Sequence, residues 1–185
     1  PQQSASATRF AGHGSIRLAY RVYGRKNGPP LVVLNGVGQA TRFDKDPFTQ
    51  ALVHRGFHVI RLDNRDSGLS SRVKDEEEPS DSHTAYRLED MAADVSVVLE
   101  AEGISAAHIM GVSLGGMISQ VFASRYPTKT LSLISVSSTT GKPGIEFGPA
   151  MAHLQEPPAS TREARVEQIR KLYPHFASSR YPMTP

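Results

Sequence analysis

The run Gly111-Val112-Ser113-Leu114-Gly115-Gly116 constrains the fold of this chain more than any other feature. An apolar stretch, Ala107 to Met110, precedes it, and residues at helical spacing begin near Met117, so the segment reads as strand, sharp turn and helix. A turn this tight packs main chain on main chain, and the glycines flanking Ser113 remove side chains that would collide there. The consequence is a serine hydroxyl lifted above the carboxyl edge of a sheet.

Other segments supply that sheet. Ile16 to Tyr23 alternates as a half-buried strand does, and Gly24 with Asn27-Gly28-Pro29-Pro30 supplies a turn after it, predicting an antiparallel hairpin at the start of the fold. Leu31-Val32-Val33-Leu34 is short and continuously apolar, the mark of a strand buried on both faces, and it runs into Asn35-Gly36-Val37-Gly38. A helix is predicted from Phe48 to His54 and a strand from His58 to Leu62, ending at Asp63. Met91, Val95, Val98 and Leu99 mark the next helix, with Gly103 placed as its C-cap glycine. The strand Ala107 to Val112 leads to Ser113. Behind it Met117, Ile118, Val121 and Phe122 form an amphipathic face that Tyr126-Pro127 ends, and Leu131 to Val136 reads as another buried strand. Strands alternating with helices predict an α/β fold with a mostly parallel sheet.

The composition changes after Ser137. Gly141, Pro143, Gly144, Gly148, Pro149, Pro157 and Pro158 mark a long irregular connection. Ser160-Thr161-Arg162-Glu163 reads as a capping box for a helix carrying Val166, Ile169 and Leu172. Pro174, Pro182 and Pro185 punctuate the end, with no further strand predicted.

A length of 185 residues, 38% hydrophobic and 21% charged, suits one globular domain with a sizeable core. No apolar stretch approaches the roughly 20 residues that a membrane span needs. The first ten residues lack a basic-then-apolar pattern, so no secretory signal is visible and a cytoplasmic location is expected. With no cysteine there are no disulfides, no Cys-ligated zinc and no thiol nucleophile. A net charge of +3, with basic residues spread along the chain, argues against nucleic acid as a partner. Asp75-Glu76-Glu77-Glu78 reads as a solvated loop.

In chemical terms Ser113 is the candidate nucleophile, but a serine hydroxyl is weak until a base takes its proton. The turn places it at a helix N-terminus, where the Leu114 N–H points at a developing oxyanion; one such donor lowers a barrier by roughly 2.7 to 4 kcal/mol. The second donor is expected from the loop after the Leu31 strand, where Gly36 and Gly38 let the main chain approach, and the Val37 N–H is the candidate. Of the seven histidines, His13, His54, His58 and His108 read as structural or surface residues. His83 lies in a loop that can approach the site, and His153 and His175 fall in the late region. Glu146 and Asp66 are weak candidates for a triad acid, and Arg65 and Asp63 read as fixing loop geometry by ion pairing.

From about residue 10 to residue 175 the chain resembles the α/β-hydrolase superfamily of serine hydrolases. Leu31 to Gly38 is similar to its oxyanion loop, and Gly111 to Gly116 to its nucleophile elbow. Asp63-Asn64-Arg65-Asp66-Ser67-Gly68-Leu69-Ser70 and Leu88-Glu89-Asp90-Met91-Ala92-Ala93-Asp94 resemble the aclacinomycin methylesterase-like branch most closely. The family usually carries His-Gly where this chain has Asn35-Gly36. The resemblance implies hydrolysis of a small-molecule carboxylic ester through an acyl-serine on Ser113, with no cofactor and no metal. Residues 1-140 then form the N-terminal part of the hydrolase core and 141-185 the beginning of a helical cap. In the superfamily's order the acid and histidine follow the nucleophile, so they are expected beyond residue 185, about 70 residues after Ser113. The isolated chain is then expected to turn over little ester and to expose the Leu131 strand as an associating edge.

Alternatives share parts of the pattern. Proline iminopeptidase-like amide hydrolysis and carbon–carbon bond hydrolysis use the same elbow, and a noncatalytic ligand-binding module uses the same scaffold. Gly36-Val37-Gly38 followed by Asp63 also suggests dinucleotide binding, but Thr41 replaces the third glycine and Pro47 interrupts the helix such a site needs. No P-loop, zinc-ligand spacing or calcium loop is present.

Overall fold

Two strands buried on both faces organise the sheet. In the computed structural model, which describes residues 7–41, 46–73, 85–141, 156–157 and 159–176, β3 (Pro30–Leu34) and β5 (Ala107–Val112) run parallel side by side. Leu31, Val32, Val33 and Leu34 are at most 3% exposed. Burying each such side chain is worth about 1.5–3 kcal/mol. β4 (His58–Leu62) pairs parallel on the other side of β3, and β6 (Thr130–Val136) pairs parallel with β5. β2 (Ile16–Tyr23) joins β4 antiparallel and β1 (Arg9–His13) joins β2, giving the order β1-β2-β4-β3-β5-β6. The predicted α/β class with a mostly parallel sheet is borne out.

The predicted hairpin forms on the other side of β2. Its partner is β1, across a turn at Gly14 with φ of +55°, and the Gly24 to Pro30 connection instead leads to β3, which β4 separates from β2. β1 escapes sequence reading because only Ala11 of its five residues is buried.

Three helices cover this sheet. α1 (Pro47–His54) starts at Asp46, whose carboxylate accepts the Phe48 and Thr49 N–H groups. α2 (Leu88–Ala101) begins with the Arg87 N–H on the Asp90 carboxylate at 2.8 Å, and Gly103 follows its end at φ of +67°. It buries Met91, Val95, Val98 and Leu99, the residues singled out by their spacing. α3 (Leu114–Arg125) buries Ile118 and Phe122. Among the described residues, no helix is long and apolar enough to cross a membrane.

β6 departs from the expectation of a buried strand. Leu131, Leu133, Ile134 and Val136 are 55%, 41%, 43% and 37% exposed. The cause is topological: among the described residues β6 pairs with β5 alone, so one edge and much of both faces lie open.

The chain divides into two compact units, Pro1–Gly141 and Lys142–Pro185. In the second, α4 (Arg162–Leu172) is followed by a 3₁₀ turn, Tyr173–Phe176. Its cap is Thr161 and not Ser160: the Thr161 hydroxyl accepts the Ala164 N–H at 3.2 Å, and its carbonyl accepts the Arg165 N–H at 2.9 Å. The box expected from Ser160 to Glu163 is therefore out of step by one residue, since the reciprocal acid would have to stand where Ala164 does. The acidic run 75–78, most of the Gly/Pro-rich connection, and Pro182 and Pro185 lie outside the described residues.

A partly buried cluster ties the first strands to the end of α2. Glu102 accepts Tyr20 Oη at 2.7 Å and Arg9 Nη1 at 2.8 Å. Burial and the hydrogen bond to Glu102 push the Tyr20 phenol up to about 12. Folding thus holds a proton that the unfolded chain releases near pH 10, so this contribution to stability is complete below pH 10 and is lost as pH rises towards 12. Tyr20→Phe is expected to cost about 1.5–3 kcal/mol at neutral pH, the worth of a hydrogen bond to a charged group. It should also weaken the decline in stability above pH 10; urea unfolding and ultraviolet titration of the phenols check both.

Candidate active site

The sheet order places a crevice. From β3 the chain turns to β4 on one side and then crosses to β5 on the other, so the winding reverses at the carboxyl ends of β3 and β5. Two segments meet there: the loop 35–41 and the turn between β5 and α3.

Ser113 occupies that turn at φ +54° and ψ −120°, and its side chain is exposed. A non-glycine residue in this region costs of order 1–3 kcal/mol, so its surroundings must hold it. They do: the Ser113 N–H donates to Val136 O at 3.0 Å, and its carbonyl accepts from Gly116 N–H at 2.8 Å, Met117 N–H at 3.2 Å and Ser138 Oγ at 2.7 Å. With the Ser113 N–H used by β6, the next two N–H groups, those of Leu114 and Gly115, open α3 and have no acceptor within the helix. This end of α3 also carries the positive pole of the helix dipole.

Three glycines make the turn possible. A Cβ on Gly111 would strike the Gly115 carbonyl, one on Gly115 would strike the Leu34 carbonyl and lie 2.7 Å from the Asn35 carbonyl, and one on Gly116 would meet Ser138 Cβ at 2.5 Å. Gly36 lies against the elbow, where an added Cβ would be 3.4 Å from Ser113 Cβ. Of the residues predicted to act together, Ser113 and Leu114 are consecutive on the turn, and Val37 follows Gly36, 76% exposed.

The loop after β4 is fixed by hydrogen bonds. The Asp63 carboxylate accepts Thr41 N–H at 2.6 Å and Leu69 N–H at 3.1 Å, while its carbonyl accepts Ser70 Oγ at 2.6 Å. Asp63 was expected to act through ion pairing; it acts instead on main-chain donors, because it lies buried where two loops cross. A Cβ on Gly68 would collide with that carboxylate. Arg65 does pair, donating Nε and Nη2 to the two oxygens of Asp94 at 2.8 Å each, with its guanidinium 5.0 Å from the Tyr86 ring centre. The hydrogen bond to Asp94 raises the Arg65 pKa against the opposing effect of burial. Asp66, at φ +64°, accepts Val73 N–H at 2.7 Å.

No hydrogen bond joins His13, His54, His58 or His108 to Ser113. His13 faces Asp94 at 3.2 Å and His108 Nδ1 lies 2.8 Å from Ser132 Oγ, while burial lowers the pKa of His58. His175 lies in the 3₁₀ turn of the second unit; His83, His153 and Glu146 lie outside the described residues. Sequence reading passed over Arg61, although a charged residue in the otherwise apolar His58-Val59-Ile60-Arg61-Leu62 is a visible signal. It also passed over Ser138, which reaches the elbow only through the fold.

The chain belongs to the α/β hydrolase fold family, which matches residues 29–181. It is 33% identical over 126 residues to rhodomycin D methylesterase of Streptomyces peucetius, covering 68% of this chain and 40% of that protein. It is 27% identical over 139 residues to epoxide hydrolase B of Mycobacterium tuberculosis, covering 70% of this chain and 37% of that protein. Among solved structures, a membrane phospholipase A described as a bacterial virulence factor superposes with a TM-score of 0.72 at 25% identity, over 98% of this chain and 55% of that one. The likeness to a methylesterase branch is thus borne out, and the chain spans about 40% of the curated relatives' length. Relatives with different reactions share the α/β hydrolase fold, so the fold does not choose the chemistry.

The elbow's packing sets a measurable limit. Gly115→Ala forces a methyl group onto the Leu34 and Asn35 carbonyls and should destabilise by about 1–3 kcal/mol or more. Gly14→Ala, at positive φ but in open space, should cost about 1–2 kcal/mol, the conformational term alone. Urea midpoints of the two variants check the difference.

Proposed function

We propose that the protein hydrolyses small-molecule carboxylic esters through an acyl-serine intermediate on Ser113. The observation that carries this reading is an exposed serine held at φ +54° at the start of α3, with the Gly36 main chain packed against it. The similarity to a methylesterase supports an ester over the other bonds that this fold can cleave.

In this mechanism the Ser113 hydroxyl gives its proton to a base as the oxygen attacks the ester carbonyl carbon. The carbonyl oxygen becomes an oxyanion, and the Leu114 and Val37 N–H groups donate to it. Collapse of the tetrahedral species expels the alcohol, which takes the proton back from the base. Water then attacks the acyl-serine by the same steps and releases the acid. The base and the acid that orients it follow the nucleophile in the chain order of such enzymes, so the reading places them beyond residue 185.

In the full-length protein a fluorophosphonate should label Ser113, and Ser113→Ala should abolish ester turnover while leaving substrate binding. The 185-residue chain alone should turn over an aryl ester about 10²- to 10⁴-fold more slowly, the usual contribution of a general base. Saturable ligand binding with neither labelling nor turnover in the full-length protein would overturn the reading in favour of a binding module.

A further inference from the structure

Beneath the loop that follows β3 runs a chain of buried and partly buried polar groups that the proposed reaction does not use. Arg61 on β4 donates Nη1 to the Asp46 carboxylate and, at 2.9 Å, to Thr49 Oγ1; its Nη2 donates to Asn35 Oδ1. Burial pushes the Asp46 pKa up, but hydrogen bonds from Thr49 and the charge of Arg61 outweigh it and hold Asp46 below the usual range, so an anion balances the guanidinium. Asn35 is 6% exposed, and its carbonyl accepts Asn64 Nδ2 at 3.1 Å. Both oxygens of Asn35 are therefore held, one by a cation and one by a buried amide.

The side-chain orientation follows from this. Oδ1 must face the guanidinium, because the amide NH₂ can only donate. Asn35 Nδ2 is then turned away, buried and without a partner. An orphan donor is a cost to folding, so the value of the side chain lies in the oxygen that Arg61 grips. The next residue is Gly36, whose main chain lies against Ser113, and the Gln39 N–H closes the turn on Gly36 O at 3.3 Å. The loop is thus pinned at its first residue by Asn35 and at its return by Gln39.

We propose that Asn35 is a positioning residue for hydrolysis at Ser113: Arg61 clamps its side chain so that the Gly36-Val37-Gly38 main chain keeps its N–H donor directed at the elbow. The inference rests on the ester-hydrolase reading above. Asn35 touches no reacting atom; it acts through the loop it anchors.

Kinetics on an aryl ester and fluorophosphonate labelling of the full-length protein test it. Asn35→Ala should lower kcat and the labelling rate about 10- to 100-fold, the effect of a misplacement of order 1 Å. KM should stay within about threefold, because the lost interaction belongs to the transition state. Asn35→Asp keeps an acceptor for Arg61 and should recover kcat by about tenfold over the alanine variant. Arg61→Lys keeps the charge beside Asp46 but has no fork to reach Asn35 as well, so it should show the same kcat loss even if Asn35→Ala fails to fold. Wild-type kcat and labelling in a folded Asn35→Ala or in Arg61→Lys overturns the inference alone, as does an aspartate variant no faster than the alanine one. Absence of labelling in the wild type overturns the hydrolase reading and this inference with it.

Discussion

Everything at the carboxyl edge of the sheet depends on one main-chain contact, that of the Gly115 backbone with the Leu34 and Asn35 carbonyls. It forces β5 and β3 together at the point where the winding of the sheet reverses, and it leaves no room for a side chain on the turn. Ser113 takes up the strain of that closeness in its positive φ, and hydrogen bonds from Gly116, Met117 and Ser138 keep it there. The strain buys a fixed direction for one hydroxyl.

Around this contact, buried and partly buried charges are matched one by one. Arg65 has both oxygens of Asp94, Arg61 has Asp46 and the Asn35 amide, and Asp63 has two main-chain N–H groups. Paired in this way, a buried charge fixes loop geometry where an unpaired one would be prohibitively costly. The three arrangements anchor the loops after β3 and β4 and the start of α1, so the mouth of the crevice rests on polar groups while the strands below it rest on apolar ones.

The apolar side of the design is uneven. β3 is sealed on both faces, whereas β6, with four apolar residues of its own, stands exposed at the sheet margin. The two strands differ in neighbours as well as in composition, since Thr130, Ser132 and Ser135 interleave the apolar residues of β6. Hydrophobicity specifies that a strand prefers burial; the pairing order decides whether it obtains it.

Much of the architecture was legible in the residues alone, because short-range patterns carry it. A continuous apolar run marked β3, mainly apolar runs marked β4 and β5, helical spacing marked α2 and α3, and Gly103 marked a helix end. The Gly-x-Ser-x-Gly turn was readable because part of its crowding is local, Gly111 lying against the Gly115 carbonyl four residues on, whereas Gly115 and Gly116 are crowded by Leu34, Asn35 and Ser138 from distant segments. Tertiary structure alone decided that β1 and not β3 pairs with β2 beyond Gly14, that β6 lies open, and that Thr161 rather than Ser160 caps α4. It alone joined Arg61 to Asn35 and Ser138 to the elbow, residues 26 and 25 positions apart. Periodicity and turn chemistry report on a residue's near neighbours, whereas a hydrogen bond between distant segments exists only once the sheet order has brought their strands together.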